Sequence, residues 1–428
     1  MSGIAGTIAR GFINSKLTPL LMAAFLGIGL YSAWLTPKEE DPQIEVPMAD
    51  IAVRYPGATP QEAERRVAEP LERLISNIEG VEYVYSTSMP GQVLVSARYL
   101  VGASPEESMV KLYEEMLKHM DEMPPGASMP LIKTRAVDDV PVLTLTLHSD
   151  APNYDDYQLR RIGDEMAMDL KKIDGVADVS VHGGRPRAVR VRLDPNRLAA
   201  YGLDPPAIAR QLQASNQQSD AGTFQRGDTS YKVETGGFLT SADEVRNLVV
   251  GVHEGSPIYL KQVAEVTDGP GEPEKYVAFG YGQGHAAPEA DSAAGRAAGL
   301  QPAVTIALAK RSGQDAMTIA ERALDKVDAL KATLVPNEVT VSTTRNYGKS
   351  ASDKVMELLL HLLVAIGAVT VIVTLAMGWR GGLVVFLSVP ISFALTLFVY
   401  YFFGYTLNRI TLFALIFVTG IVVDDSII

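Results

Sequence analysis

The sequence predicts a multi-pass membrane protein in which α-helical transmembrane segments carry a large water-soluble α+β block. Three observations support this fold class. Long runs without Asp, Glu, Lys or Arg lie near both ends of the chain. Residues 38–357 carry nearly all the charge. Within that block, segments with the two-residue period of strands alternate with segments that have a helical period.

The first charge-free run, Leu17 to Pro37, has 21 residues. A helix of roughly 20 apolar residues crosses the hydrocarbon core of a bilayer. The alternative is a cleaved signal peptide, whose apolar core is usually only about 7–15 residues long. Because this run is longer and ends in Trp34-Leu35-Thr36-Pro37, which is typical of a membrane interface, we predict a retained transmembrane helix.

Three further apolar runs lie near the C-terminus: Leu358 to Trp379, Gly381 to Asn408 and Ile410 to Val423. Arg380, with Gly381 and Gly382, is predicted to form a tight loop between two of these spans. Residues 404–409 are predicted to form the next loop. The sequence therefore predicts four spans in total, one N-terminal and three C-terminal.

Basic residues predict the orientation of these spans. Arg10 and Lys16 precede the first span, and acids dominate directly after it. The positive-inside tendency then places the N-terminus in the cytoplasm and the soluble block outside. Because the fourth span stops within an apolar helix, we expect the chain to be the N-terminal piece of a longer protein.

The soluble block begins with the element order of a split βαβ, ferredoxin-like unit. Residues 49–55 alternate as a strand, and Thr59 with Glu62 forms a capping-box pattern before a helix from Pro60 to about Ile78. Two strands, 81–86 and 92–99, and a second helix follow. The sequence therefore predicts one α/β subdomain here.

The same order returns about 95 residues later. Ile173-Asp174-Gly175-Val176 repeats Ile78-Glu79-Gly80-Val81 at an offset of 175 − 80 = 95 residues. A strand at 142–148 and a helix at 154–172 precede the second copy, and strands at 178–182 and 189–193 are predicted after it. The match favours two related subdomains. Residues 282–300 are predicted to be a mobile insertion.

Composition excludes several classes of function. The formal net charge of −12 argues against nucleic acid as a partner. The chain has no cysteine, which rules out thiolate and iron–sulfur chemistry, and its six histidines match no metal-ligand spacing. No enzymatic motif occurs in the block, and no cofactor is expected.

Two patterns in the block are interpreted as structural. The methionine stripe is predicted to pack as a helix face rather than to bind a soft metal; it consists of Met109, Met116, Met120 and Met123. The acid pairs Asp138-Asp139 and Asp155-Asp156 are predicted to be solvated or to cap helices.

Asp424 and Asp425 are the candidate functional residues. They follow 14 uncharged residues of the fourth span, which places them past the middle of the hydrocarbon. Ionisable residues at this depth are costly and usually mark an ion or proton pathway. Because the residues after them are again apolar, we prefer this to the alternative that they mark the cytoplasmic end of a short helix.

These residues also carry a family resemblance. Gly420-Ile421-Val422-Val423-Asp424-Asp425-Ser426-Ile427-Ile428 resembles the fourth-helix signature of resistance-nodulation-division (RND) efflux pumps, closest to the hydrophobe/amphiphile branch. Residues 53–62 and 193–203 fit the same family. Such pumps are trimeric antiporters driven by the proton motive force, in which the two acids relay protons.

The resemblance implies a domain layout for this chain, in which the second porter subdomain is discontinuous. The expected parts are the cytoplasmic N-terminus with the first transmembrane helix (1–37), the first porter subdomain (38–137), the second porter subdomain (138–185 and 275–340), a docking subdomain with a protruding hairpin (186–274) and transmembrane helices two to four (355–428).

The resemblance also implies sites and partners. The strands that would line the substrate pocket contain Val140, Val142 and His182, with no Phe among their residues. An inter-protomer arm is expected around Asn216, Gly222, Phe224 and Gly227. The expected partners are two further copies in a homotrimer, a periplasmic adaptor (membrane fusion) protein, an outer-membrane channel, the lipid bilayer of the inner membrane and small amphiphilic substrates.

Two other functions remain open at this point. A heavy-metal exporter of the same superfamily would have methionines that converge in the porter core. A membrane-anchored periplasmic binding or adaptor module that does not transport would need no acids inside its fourth helix.

Overall fold

The computed structural model describes residues 11–12, 15–39, 46–135, 140–282 and 300–427, with side chains up to Asp424. The predicted insertion at 282–300 and the acid pair at 138–139 lie almost wholly outside these residues. Four long helices flank or follow the α/β block: α1 (Leu17–Leu35), α11 (Tyr347–Met377), α12 (Trp379–Phe402) and α13 (Arg409–Ile427).

The first sheet is built from residues 48–135. Its four strands are all antiparallel to their neighbours and lie in the order β2-β3-β1-β4. The elements are β1 (Met48–Arg54), α2 (Pro60–Ala63), a π-helical turn (Glu64–Ala68), α3 (Glu69–Ser76), β2 (Val81–Met89), β3 (Gln92–Tyr99), α4 (Pro105–Lys118), a 3₁₀ turn (Met120–Glu122) and β4 (Leu131–Arg135).

The predicted capping box is present where the first helix of this sheet begins. Thr59 Oγ1 accepts a hydrogen bond from the Glu62 amide, and the Glu62 carboxylate accepts one from the Thr59 amide at 3.0 Å. The hydrogen bonds from Thr59 hold the pKa of Glu62 below its usual value. Met116 is buried in the core, and Met109 and Met123 pack against that core, so these methionines are structural as predicted. The prediction that all four share one helix face is wrong, because α4 ends at Lys118 and Met120 lies in the 3₁₀ turn that follows.

The second sheet has the same strand order but draws its strands from distant parts of the chain. Its path is β6-β14-β5-β15, and β13 also pairs with β14. The elements are β5 (Leu143–His148), α5 (Asp156–Leu170), β6 (Val176–His182), β13 (Ala278–Phe279), β14 (Gln301–Lys310), α10 (Ala316–Lys331) and β15 (Thr340–Asn346). Asp155 caps α5, and both Asp155 and Asp156 pair with Arg185, in line with their predicted structural role.

The repeated helix-to-strand junction has the same geometry in both sheets. Gly80 and Gly175 have φ values of 91° and 90°. The Gly80 carbonyl accepts from the Leu100 amide at 2.9 Å, and the Gly175 carbonyl accepts from the Arg311 amide at 2.8 Å. Tyr99 and Lys310, which precede these two donors, therefore occupy equivalent strand ends.

The prediction that the strand at 189–193 continues the second copy of the repeat is wrong. β7 (Arg187–Leu193) leaves the sheet and pairs with β12 (Ala264–Pro270), and β14 lies beside β6 instead. Gly183 and Gly184, both with positive φ, turn the chain away. Cross-strand ion pairs such as Arg187–Asp268 favour the new partner, and the hydrogen bond from Arg187 lowers the pKa of Asp268.

The segment between β7 and β12 forms a separate cluster with a long hairpin. The hairpin is β8 (Gln217–Arg226) and β9 (Thr229–Gly237), and nearly all of its residues are exposed. The remaining elements are α6 (Pro195–Tyr201), α7 (Pro205–Ser215), α8 (Ala242–Arg246), β10 (Val249–His253), β11 (Ser256–Tyr259) and α9 (Leu260–Val263).

Within the described residues, three helices are long and apolar enough to cross a membrane: α1, α11 and α12. The fourth predicted span forms α13, and its place in a membrane stays a prediction. The predicted loop at Arg380 is wrong by a few residues. The break lies at Gly378 (φ 85°, ψ 170°), and Arg380 to Gly382 are helical. Gly382 is instead needed for close packing, since a Cβ there would overlap Thr374 Oγ1.

Candidate functional site

The candidate site is α13, the helix that carries Asp424 and Asp425. Asn408 caps its first turn: the Asn408 Oδ1 atom accepts from the Ile410 and Thr411 amides, both at 3.0 Å. The Thr411 hydroxyl accepts from the Asn408 amide at 3.0 Å. This polar cap satisfies amides that would otherwise be unpaired at the buried start of the helix.

α13 packs against both α11 and α12. Leu412, Leu415 and Val423 are buried in a cluster that also contains residues from those two helices. Asp424 is exposed. It lies 15 residues beyond Arg409, which is about 22 Å along the helix axis. The arrangement therefore fixes one side of α13 in the bundle and leaves the Asp424 carboxyl accessible.

α1 lies against α12 in the same bundle. A Cβ at Gly29 would overlap the backbone of Ala394, so the two helices approach as closely as their backbones allow. Small residues at such a contact are typical of helix pairs in membranes.

A backbone bridge joins the end of α1 to the start of α13. The Leu407 amide donates to the Pro37 carbonyl, and the Glu39 amide donates to the Leu407 carbonyl, both at 2.9 Å. The C-terminal end of α1 and the N-terminal end of α13 therefore lie together. No sequence pattern predicts this contact, because Pro37 and Leu407 lie in short segments that flank the helices.

Comparison with known proteins identifies the family of the chain. The model of the AcrB/AcrD/AcrF family matches residues 8–428. The chain belongs to the AcrB/AcrD/AcrF family. This is the RND group of multidrug efflux transporters that the motif at 420–428 indicated.

The chain is also similar to curated proteins. It is 27% identical over 414 residues to the multidrug resistance protein MdtC of Yersinia pseudotuberculosis serotype O:1b (strain IP 31758) and of Yersinia pestis bv. Antiqua (strain Angola). The alignments cover 96% of this chain but only 38% of each relative. The chain thus spans well under half the length of the curated relatives that it matches.

The structure does not gather the three pocket residues that this family's organisation suggested. Val142 is buried in the core of the second sheet, whereas Val140 is 48% exposed. His182 is exposed near the other end of that sheet, opposite Thr305, and its Nε2 lies 3.0 Å from Ser180 Oγ. A shared role in binding substrate stays a prediction.

The predicted arm residues all lie on or beside the exposed hairpin. Asn216 Oδ1 accepts from the Leu239 amide at 2.8 Å and closes its base. Gly222 (φ 99°) lies at a register shift, and Gly227 (φ 62°) lies in the turn. Phe224 stacks on Tyr231 with ring centroids 5.1 Å apart, so the hairpin presents an aromatic pair to its surroundings.

Among the described residues, no group of three or more His, Asp or Glu side chains is placed to hold a metal ion.

Proposed function

We propose that this chain is part of a proton-driven RND-type efflux transporter that exports hydrophobic or amphiphilic compounds. The observation that carries the proposal is the adjacent pair Asp424-Asp425 on a helix packed into an apolar bundle. The family membership and the multidrug resistance names of the relatives support it.

The acids would act by exchanging protons. Neighbours on a helix are about 100° apart, so the two carboxyls cannot occupy one position but can both flank a cation. Two adjacent carboxylates repel each other, and in the proposed relay a proton or a cation relieves this repulsion. A cation supplied by another part of the transporter would favour ionisation, and protonation would release it. This alternation can drive a helix shift.

The domain organisation is proposed on the same basis. The sheet at 48–135 and the sheet at 143–346 would be two split βαβ, ferredoxin-like porter subdomains, the second interrupted by a docking subdomain at 186–274. α1, α11, α12 and α13 would be transmembrane helices of the inner membrane, with the α/β block in the periplasm.

The proposed assembly is a homotrimer that works with a periplasmic adaptor protein and an outer-membrane channel. The hairpin of β8 and β9 is the feature that favours a trimer. Its ten-residue strand β8 extends about 30 Å, and the exposed aromatic pair near its tip could pack against a neighbouring protomer.

The acids can be tested by substitution in the full-length transporter. Asn keeps the size and polarity of Asp but stays neutral, as if permanently protonated. We expect Asp424→Asn and Asp425→Asn each to abolish proton-driven export while expression, trimer formation and substrate binding stay near normal. Export is measured as dye efflux from energised cells or vesicles.

Asp353→Asn is the matched control, because Asp353 is exposed near the start of α11 and undergoes the same chemical change. It should export normally. Export at the wild-type rate by either Asp424→Asn or Asp425→Asn would exclude that residue from the relay.

A further inference from the structure

A buried ion pair lies where the α/β block meets the helix bundle. Lys310 Nζ is 2.5 Å from Glu39 Oε1, and the two side chains are only 9% and 5% exposed. The residues are 271 positions apart in the chain. Every other Lys or Arg ion pair among the described residues has at least one side chain that is more exposed than these.

Glu39 belongs to the short segment Pro37–Glu39, which we call the strap. On one side the strap forms the backbone bridge to Leu407, directly before the Asn408 cap of α13. On the other side the Lys38 amide donates to Asp315 Oδ2 at 2.9 Å. Asp315 also caps α10 through Oδ1, which accepts from the Thr318 amide at 2.7 Å.

Lys310 anchors the strap to the centre of the second sheet. It is the last residue of β14, which pairs with β5 on one side and β6 on the other. The strap therefore links the start of α13 to β14 and α10 through direct contacts.

The first sheet shows that the fold does not require a charge at this position. Tyr99 is the equivalent strand end, and it is fully buried and neutral. Burying a charge at this site is costly unless it is paired. The lysine in the second sheet is therefore explained by its partner on the strap rather than by the sheet.

We propose that the strap transmits movement between α13 and the second sheet, with Glu39 and Lys310 as its positioning residues. The inference rests on the proposed function, since it assigns the path by which protonation of α13 reaches the α/β block. A shift of α13 moves Leu407, the bridge moves the strap, and the buried pair carries the displacement to β14.

The test separates transmission from simple stabilisation. Glu39→Gln or Lys310→Met alone leaves one buried charge without its partner and should lower the thermal stability of the full-length trimer. The double variant removes both charges and should recover stability. Transmission predicts that export by the double variant stays reduced, roughly 5- to 150-fold, the range of ordinary coupling energies, with substrate affinity unchanged.

Lys310→Arg is the matched control, because it keeps the positive charge that pairs with Glu39. Its export rate should be close to that of the wild type. Wild-type export by the double variant would show that the pair only stabilises the fold and would overturn the proposal.

A second measurement leaves the strap intact and decides the case if the double variant does not assemble. Hydrogen exchange is compared between the wild-type transporter and Asp424→Asn in lipid. We expect changed exchange in peptides that contain the Lys38, Glu39 and Leu407 amides. Identical exchange in those peptides would contradict transmission.

The two proposals fail in different ways. Normal export by Asp424→Asn and by Asp425→Asn would overturn the proposed function. An inactive Asp424→Asn together with a fully active double variant, or with unchanged exchange, would overturn only the role of the strap.

Discussion

The two sheets of the α/β block have one strand order but two different chain paths. The first is built from consecutive elements between Met48 and Arg135. In the second, the neighbour of β6 is β14, which begins more than 100 residues after β6 ends. Both nevertheless keep the glycine junction and the hydrogen bond that closes it. A sheet of this kind therefore depends on which strands pair and tolerates a long insertion between them.

The sheets differ most on the face away from their helices. In the first sheet, Asp50 accepts from Ser96 Oγ and from Arg135 Nε, each at 2.6 Å. In the second, Thr146 lies 2.9 Å from Thr305 Oγ1, and the buried His148 lies 2.9 Å from Ser342 Oγ. Phe279 also stacks on His148 with ring centroids 3.8 Å apart. At these positions the second sheet thus buries a hydroxyl and an imidazole, whereas the first carries an ion pair between Asp50 and the exposed Arg135.

Among substitutions that test this difference between the sheets, His148→Ala is expected to lower the free energy of unfolding most. It removes a buried ring, leaves the Ser342 hydroxyl and the Gln301 carboxamide each without one hydrogen-bond partner, and opens a space under Phe279. We expect a loss of about 3 kcal/mol, measured by thermal or denaturant unfolding of the purified full-length protein.

Asp50→Asn is the control in the first sheet. It keeps the shape of the side chain and one acceptor on a more open face, so its cost should be nearer 1 kcal/mol. Equal losses for the two variants would contradict the view that the second sheet is the more tightly covered.

A smaller effect should separate the two junction glycines. An alanine at either position would be strained, because φ is near 90° at both. The strain costs about 1–2 kcal/mol of folding free energy. At Gly80 the added Cβ would meet only Tyr99 Cδ1 at 3.8 Å, but at Gly175 it would lie 2.9 Å from Ile319 Cδ1. We expect Gly175→Ala to lower the unfolding midpoint more than Gly80→Ala, and Ile319→Val to reduce the difference.

The smallest effect at neutral pH is expected from Tyr99→Phe. Among the described residues, the buried Tyr99 hydroxyl has no hydrogen-bond partner, so its removal should leave stability unchanged or slightly higher. Burial raises the pKa of Tyr99 to about 12, above the ordinary value of about 10.

This raised pKa fixes the sign of a pH dependence. As the pH rises, the Tyr99 hydroxyl ionises in the unfolded chain before it ionises in the folded one. The free energy of unfolding is therefore unaffected by Tyr99 ionisation below pH 10 and falls between pH 10 and about 12. The loss is about 3 kcal/mol, because the two states differ by two pKa units. The difference between wild type and Tyr99→Phe, followed by unfolding across that range, should show it. A constant difference would argue against the burial effect.

Local signals in the sequence were sufficient for much of the fold. The capping box at Thr59, the junction glycines and the polar hairpin were predicted because each depends on a few neighbouring residues. The break near Gly378 was misplaced, since three glycines lie within five residues and only tertiary packing decides which one ends the helix.

Contacts between distant segments could not be predicted in this way. The position of β14 beside β6 depends on pairing across the inserted cluster. The Glu39–Lys310 pair has no sequence signal either, because Glu39 lies in an acidic run and Lys310 precedes an arginine, as solvated residues commonly do. At the candidate site, sequence identified the acids but not the bridge at Leu407.

The length of α11 has a consequence for the lipid around it. Its 31 residues extend about 46 Å, whereas the hydrocarbon layer is about 30 Å thick. In a bilayer, roughly three helical turns must therefore project beyond the acyl chains or be accommodated by tilt. α11 follows β15 without a break. A change in bilayer thickness that changes the tilt of α11 therefore also changes the position of the second sheet relative to the bilayer.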